Sequence, residues 1–316
     1  MMQINVNMKN RKKKKKHVSW DNLKQYSTYH LMMLPAVIIL IIFSYVPMVG
    51  VLMAFQDYNP VKGVFGSQWV GLDNFTKLFT YHDLGRVVYN TMFIASMKIV
   101  AGLIVPLIFA LLLNEVRNKL FSRSIQTMVY LPYFLSWVVL AGIIIDMLSP
   151  SGGAVNEVIK SFGGKPLFFL GDAKLFPYII VITDVWKGFG FGTIIYLAAL
   201  TGIDPSLYEA AIVDGANRLQ QTFHVTLPGM APIIVLMMVL SIGGILDAGF
   251  DQVFNLYNPL VYSTGDIIDT MVYRMGLLDM NFSLSTAVGL MKSSVAMVLI
   301  VTSYKLADKY AGYRIF

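Results

Sequence analysis

Apolar residues run along this chain in six long blocks, covering about Leu31–Phe55, Thr91–Leu113, Ile125–Leu148, Phe176–Leu200, Ile233–Phe250 and Thr286–Ala307. Each is long enough to cross a hydrocarbon core as a helix. The predicted fold class is an all-α polytopic membrane protein with six transmembrane helices. A cleaved signal peptide is the rival for the first block. That block runs on for over twenty residues and ends in Gln56-Asp57-Tyr58-Asn59-Pro60, without a small-residue cleavage site, so an uncleaved span is predicted. The third block is entered through Leu131-Pro132-Tyr133. The fourth holds Gly188, Gly190 and Gly192, which allow close helix packing or a local break. Between the third and fourth, Pro150-Ser-Gly-Gly153 and Gly163-Gly164 predict a loop with little regular structure.

Composition agrees: 56% of the 316 residues are hydrophobic and 14% charged, outside the soluble globular range. No cysteine is present, which excludes disulfides, thiolate chemistry and cysteine metal sites. The net charge of +7 comes largely from the first 24 residues, where eight Lys or Arg gather around Arg11–Lys16. This is a basic tail that suits anionic lipid headgroups, and it is no sign of nucleic acid. With an even number of spans both ends share one side. Lys and Arg number eight in the N-terminal tail, three in residues 114–124 and three from Lys305 onward. The opposite side carries three, three and one over much longer loops (56–89, 149–175 and 251–285), so both termini are expected in the cytosol.

The polar stretch 201–228 lies on that same side. Asp204 can cap a helix from Pro205 to Asp214, and Gly215 can end it in the left-handed conformation. Leu207, Ala210 and Ala211 share one face. A second short helix, Asn217–Phe223, is predicted to stop at Leu227-Pro228. From these residues alone, a lid over the helix bundle and a docking site for another protein are both open.

No enzyme site is legible. His17, His30, His82 and His224 lack metal-ligand spacing, and no Gly-rich phosphate loop ends in Lys-Ser/Thr. Any driving energy must come from a partner chain or an ion gradient. Ionisable residues inside spans are costly and therefore informative: Lys98, Asp146, Asp184, Lys187, Asp247 and Lys292. Asp184 and Lys187 are three apart on one helical face and are expected to pair. Asp146, Asp247 and Lys292 lie close enough to span ends to snorkel or face water. Trp186 has two readings, an interface anchor or a platform for a sugar ring. A proton relay through Asp184 in a secondary transporter, or a membrane scaffold, would fit the same residues.

The sequence Glu209-Ala210-Ala211, then Gly215, then nine residues, then Val225-Thr226-Leu227-Pro228 resembles the EAA loop of ABC-importer permeases, with Val225 where that family usually has isoleucine. Val70-Gly-Leu-Asp-Asn-Phe75 resembles the first external loop of the carbohydrate-type members, in particular those serving oligosaccharides in Gram-positive bacteria. The resemblance implies a type I importer transmembrane-domain fold in a bacterial plasma membrane. It divides the chain into a basic tail (1–28), a first helix with external loop (29–85), a permease core (86–308) and a C-terminal tail (309–316). It makes Tyr208, Glu209, Ala210, Ala211, Asp214, Gly215, Ala216, Leu227 and Pro228 the contact to an ABC ATPase dimer. ATP and Mg would be bound by that dimer, with no cofactor in this chain. The other implied partners are a second homologous permease and an extracellular solute-binding lipoprotein. Candidate residues along a sugar pathway are Asp184, Trp186, Lys187 and Tyr196.

Overall fold

The computed structural model describes residues 20–311. The basic run Arg11–Lys16 and the last five residues lie outside the described residues. One compact unit ends at Val51 and a second begins at Leu52.

In the first unit, α1 (Trp20–Leu40) continues through a π turn, Ile41–Tyr45, into a 3₁₀ stretch (Val46–Phe55) whose last four residues belong to the second unit. The apolar side chains from Leu31 to Met48 are exposed, as expected for a helix whose solvent is lipid.

The second unit opens with the segment that follows the first apolar block. A two-residue antiparallel pair, β1 (Gln56–Asp57) with β2 (Gln68–Trp69), flanks the one-turn helix α2 (Gly63–Gly66) and leads to α3 (Asp73–Phe79). The VGLDNF stretch closes this segment. Buried Asn74 donates from Nδ2 to the carbonyls of Ala54 and Gln56, at 3.0 and 2.9 Å, while the Val70 amide donates to Phe55 O.

Two long helices follow as the frame, α4 (Leu84–Asn114) and, further on, α8 (Phe176–Thr201), packed along much of their length. Between them lie α5 (Lys119–Tyr130), a 3₁₀ turn at Leu131–Phe134, α6 (Trp137–Leu148) and α7 (Ala154–Ser161). The third block is therefore not one straight span: its two helical pieces meet at 105°. Pro132 ends the hydrogen-bond ladder, and Ser136 starts a new helix by accepting from the Val139 amide. The loop at 149–175 is also more ordered than its glycines suggest. Fully buried Asn156 on α7 donates to the carbonyls of Leu148, Ser149 and Leu167 and accepts from the Leu167 amide.

Beyond α8 come α9 (Pro205–Val213), α10 (Arg218–Gln221), a π turn (Thr222–Thr226) and α11 (Leu227–Ile242). The fifth span thus runs from Arg218 to Ile242, earlier than its apolar block, and the chain has turned before Phe250. Leu227-Pro228 does not stop a helix. Proline is tolerated in a first helical turn, where its missing amide would have no partner, and the π turn delivers the chain into α11 with the Leu227 amide bonded to Thr222 O. The short helices α12 (Phe250–Leu256), α13 (Tyr262–Gly265) and α14 (Ile268–Tyr273) precede the last span, α15 (Phe282–Ala311). Lys292 on α15 is partly buried and pairs with Asp269 of α14.

Three apolar clusters hold this second unit together. One joins the start of α8 to α6 and α12 through Leu140, Phe176, Ile180 and Val253. Another joins α3, α4, α14 and α15 through Leu78, Val87, Met271 and Val288. The third ties α4, α8 and α11 near the 201–228 loop through Ala110, Tyr196, Leu200 and Met230.

Candidate functional site

The 201–228 loop is built by caps. Asp204 accepts from the Ser206 amide at 2.9 Å, and that bond holds its carboxyl below the ordinary carboxylate range. At the other end of α9, Gly215 sits at φ 78°, with its amide on Ile212 O and the Ala216 amide on Ala211 O. A β-carbon on Gly215 would meet nothing within 4 Å, so glycine is required by the backbone and not by space. Asn217 and Gln220 then form a reciprocal capping box at 2.9 and 2.8 Å. Tyr208 reaches across the turn, its hydroxyl 3.0 Å from Thr226 Oγ1.

These bonds shape the loop from within and leave its outer face unoccupied. Glu209, Ala210 and Asp214 are exposed, and Leu207, Ile212 and Val213 show 52%, 60% and 87% of their surface. Among the described residues Glu209 has no basic partner within ion-pair distance. A cavity of about 270 Å³ lies between α9 and the π turn, lined by Asp214, Gly215, Ala216, Gln220 and His224 among others. Pro228 is exposed and Leu227 partly so, at the root of α11.

A second polar constellation lies inside the helix frame. Lys98 of α4 is 8% exposed and donates to Asp184 of α8 at 3.2 Å, to Ala248 O at 2.7 Å and to Gln252 Oε1 of α12. Gln252 passes the connection on, donating to Ile180 O and Thr183 Oγ1, both at 2.7 Å. Gly249 closes the group: its φ is 85°, and a β-carbon there would lie 2.8 Å from the Lys98 ammonium. A cavity of about 330 Å³ opens beside it, lined by Lys98, Gly102, Asp184, Ser241, Asp247 and Gly249 among others. A frame of apolar helices thus borders an open polar pocket and displays an exposed capped loop.

Residues 102–309 match the family described as "Binding-protein-dependent transport system inner membrane component". The chain belongs to that family. The permease is 41% identical to the "Polygalacturonan/rhamnogalacturonan transport system permease protein YteP" of Bacillus subtilis (strain 168), over 96% of this chain and 95% of that one. Its fold matches a chain of a bacterial ABC transporter involved in the import of the acidic polysaccharide alginate, with a TM-score of 0.85 at 36% identity, covering 92% of this chain and 98% of the other. A second structure of the bacterial alginate ABC transporter, in complex with an alginate pentasaccharide-bound periplasmic protein, matches with the same TM-score at 35% identity, over 94% and 99% of the two chains. The chain is therefore a multi-pass inner-membrane permease of ABC-importer type, with five long apolar helices and a bent sixth pair among the described residues.

Within the permease, the expected Asp184–Lys187 pair does not form. The Asp184 carboxylate is taken by Lys98, so the desolvation that pairing would relieve is relieved across helices instead of along one. Lys187 donates to Tyr133 O at 2.9 Å and lies 5.4 and 5.5 Å from the ring centroids of Tyr133 and Trp137. Trp186 is 45% exposed and lines an apolar cavity of about 170 Å³ with Ile143, Met147 and Ile182. Tyr196 is buried in the cluster beside the 201–228 loop, with no hydrogen-bond partner for its hydroxyl among the described residues. These four residues do not converge on one pocket. Gln252, central to the Lys98 group, escaped sequence reasoning because a neutral amide next to a predicted span end carries no signal.

Proposed function

We propose that this permease forms half of the translocation pathway of an ATP-driven importer for an oligosaccharide, driven through the 201–228 loop by separate ATPase subunits. The observation that carries the proposal is the contrast within that loop: every turn is capped from inside, while Glu209, Leu207, Ile212 and Val213 are left facing outward. A rigid projection with an unpaired carboxylate and exposed apolar side chains suits a load-transmitting contact with another protein. A lid would instead bury such side chains against its own bundle.

In this reading both termini and the loop are cytosolic, consistent with the lysine and arginine distribution. ATP and Mg are held by the ATPase dimer. A second, homologous permease completes the pathway, and an extracellular solute-binding lipoprotein delivers cargo. ATP-driven closure of the ATPases moves α9 as a rigid body, the permeases rock outward-open to receive cargo, and hydrolysis resets the inward-open state. The oligosaccharide reading draws on the polygalacturonan permease and the alginate importers that the chain resembles. The polar pocket at Asp184, Ser241 and Asp247 adds to it, since it offers hydroxyl-binding groups at membrane depth. The ion pair of Asp184 with Lys98 at 3.2 Å weighs against a proton relay there, because the carboxylate is already engaged by another side chain.

The test is substrate-stimulated ATP hydrolysis by the reconstituted assembly. Glu209→Lys and Gly215→Asp are expected to leave the permease in the membrane and to abolish stimulation. Full coupled transport by either variant would refute the coupling role of the loop.

A further inference from the structure

Because Asp184 is committed to Lys98, Lys187 is left as a cation inside a span without a carboxylate. Among the described residues no acidic group lies within ion-pair distance of it, and its one hydrogen bond is to a backbone carbonyl, Tyr133 O. The ammonium therefore retains hydrogens to donate. From the helical rise, Lys187 lies about 16 Å from the Phe176 end of α8 and about 21 Å from the Thr201 end. Its side chain is too short to reach a headgroup layer from there, which removes a lipid phosphate as the counter-ion.

The surroundings narrow the choice further. Lys187 sits at the 105° break between the helices of the third block. Irregular backbone at membrane depth is tolerated where it is covered by protein or lines a water-filled path. Tyr133 of that break stacks on Phe191 of α8 at 4.1 Å and 5° between planes, and each of the two residues is 40% exposed. A flat aromatic surface beside a cation with free donors matches a pyranose ring that presents its C–H face to the rings and a carboxylate to the ammonium.

We propose that Lys187 is a specificity residue that reads the carboxylate of an acidic saccharide in transit, a uronate and not a neutral sugar. The inference rests on the oligosaccharide reading above. Asp184, one turn away, does not compete for the ammonium because Lys98 holds it, and the Tyr133 carbonyl fixes the position of Lys187 without neutralising it.

The experiment uses proteoliposomes containing the assembled transporter. They are offered short oligogalacturonides or the same oligosaccharides with their carboxylates reduced to alcohols. Lys187→Met is expected to lower uptake of the uronides about tenfold or more, the loss that follows from removing a hydrogen bond to a charged group. Lys187→Arg should keep most of the activity, and neither variant should change uptake of any reduced oligosaccharide that the wild type carries. Equal loss on both sugar sets, no loss on the uronides, or release of the second permease from the purified Lys187→Met complex would each overturn the proposal, the last by placing the missing carboxylate on the partner. Wild-type uptake of the reduced set alone would overturn this inference and leave the oligosaccharide reading standing. Uptake of neither set would overturn both.

Discussion

Around Lys98, charged and polar groups from α4, α8 and the segment leading into α12 use one another up: the ammonium, the Asp184 carboxylate, the Ala248 carbonyl and the Gln252 amide are joined in one network. Along α9 the opposite holds. The backbone is satisfied by caps, while the side chains of Glu209 and Asp214 face outward with no ionic partner among the described residues. The difference follows from the solvent each region meets. In a low-dielectric interior an unpartnered polar group is expensive, and around Lys98 the chain supplies the partners itself. In water the same group costs nothing to leave open, so an unpaired carboxylate on a stiff helix remains available to another molecule.

Three substitutions probe that contrast, beginning with the strongest. Lys98→Met strands the Asp184 carboxylate, the Gln252 Oε1 and the Ala248 carbonyl together. It is expected to lower stability by about 3–5 kcal/mol, read as loss of monodisperse protein on heating in detergent, and adding Asp184→Asn should recover part of the loss. Unchanged thermal behaviour would show that the Lys98 network is as dispensable as a surface pair. Next, Gly215→Val places a β-branched side chain at a φ of 78°, a strain of about 1–3 kcal/mol. Since a β-carbon there meets no neighbour, the cost should remain in the loop, with little change in heat denaturation of the whole chain and weaker retention of the ATPase during purification. A fall in whole-chain stability as large as that of Lys98→Met would erase the distinction. The smallest effect is expected for Arg218→Ala. Its pair with Glu115 spans 3.6 Å with side chains 69% and 50% exposed, and such pairs contribute below about 1 kcal/mol, so thermal melting should hardly move.

The same contrast explains what could be read from the chain alone. Spans are properties of contiguous stretches, and caps are local, so the helix of Asp204 to Gly215 was legible to within a residue. Partnerships between distant positions were not. Asp184 and Lys187 are neighbours in sequence and satisfy every local rule for a pair, but Lys98 lies 86 positions from Asp184 and is brought to it by helix packing. The break in the third block had a visible cause in Pro132, yet an apolar run on both sides hides a bend. Pro228 misled in the other direction. A proline reads as a stop, but here it occupies the first turn of α11, where a missing amide is harmless.

The π turn at Thr222–Thr226 has a consequence for which lengths of this segment can be inherited. α10, the π turn and α11 form one uninterrupted helical rod, so no slack exists to absorb a gained or lost residue. Gaining or losing one position in the α-helical part of the rod would rotate α10 by about 100° about the rod axis, turning the face that holds Gln220 away from α9. Substitutions along this segment can drift, whereas insertions and deletions cannot.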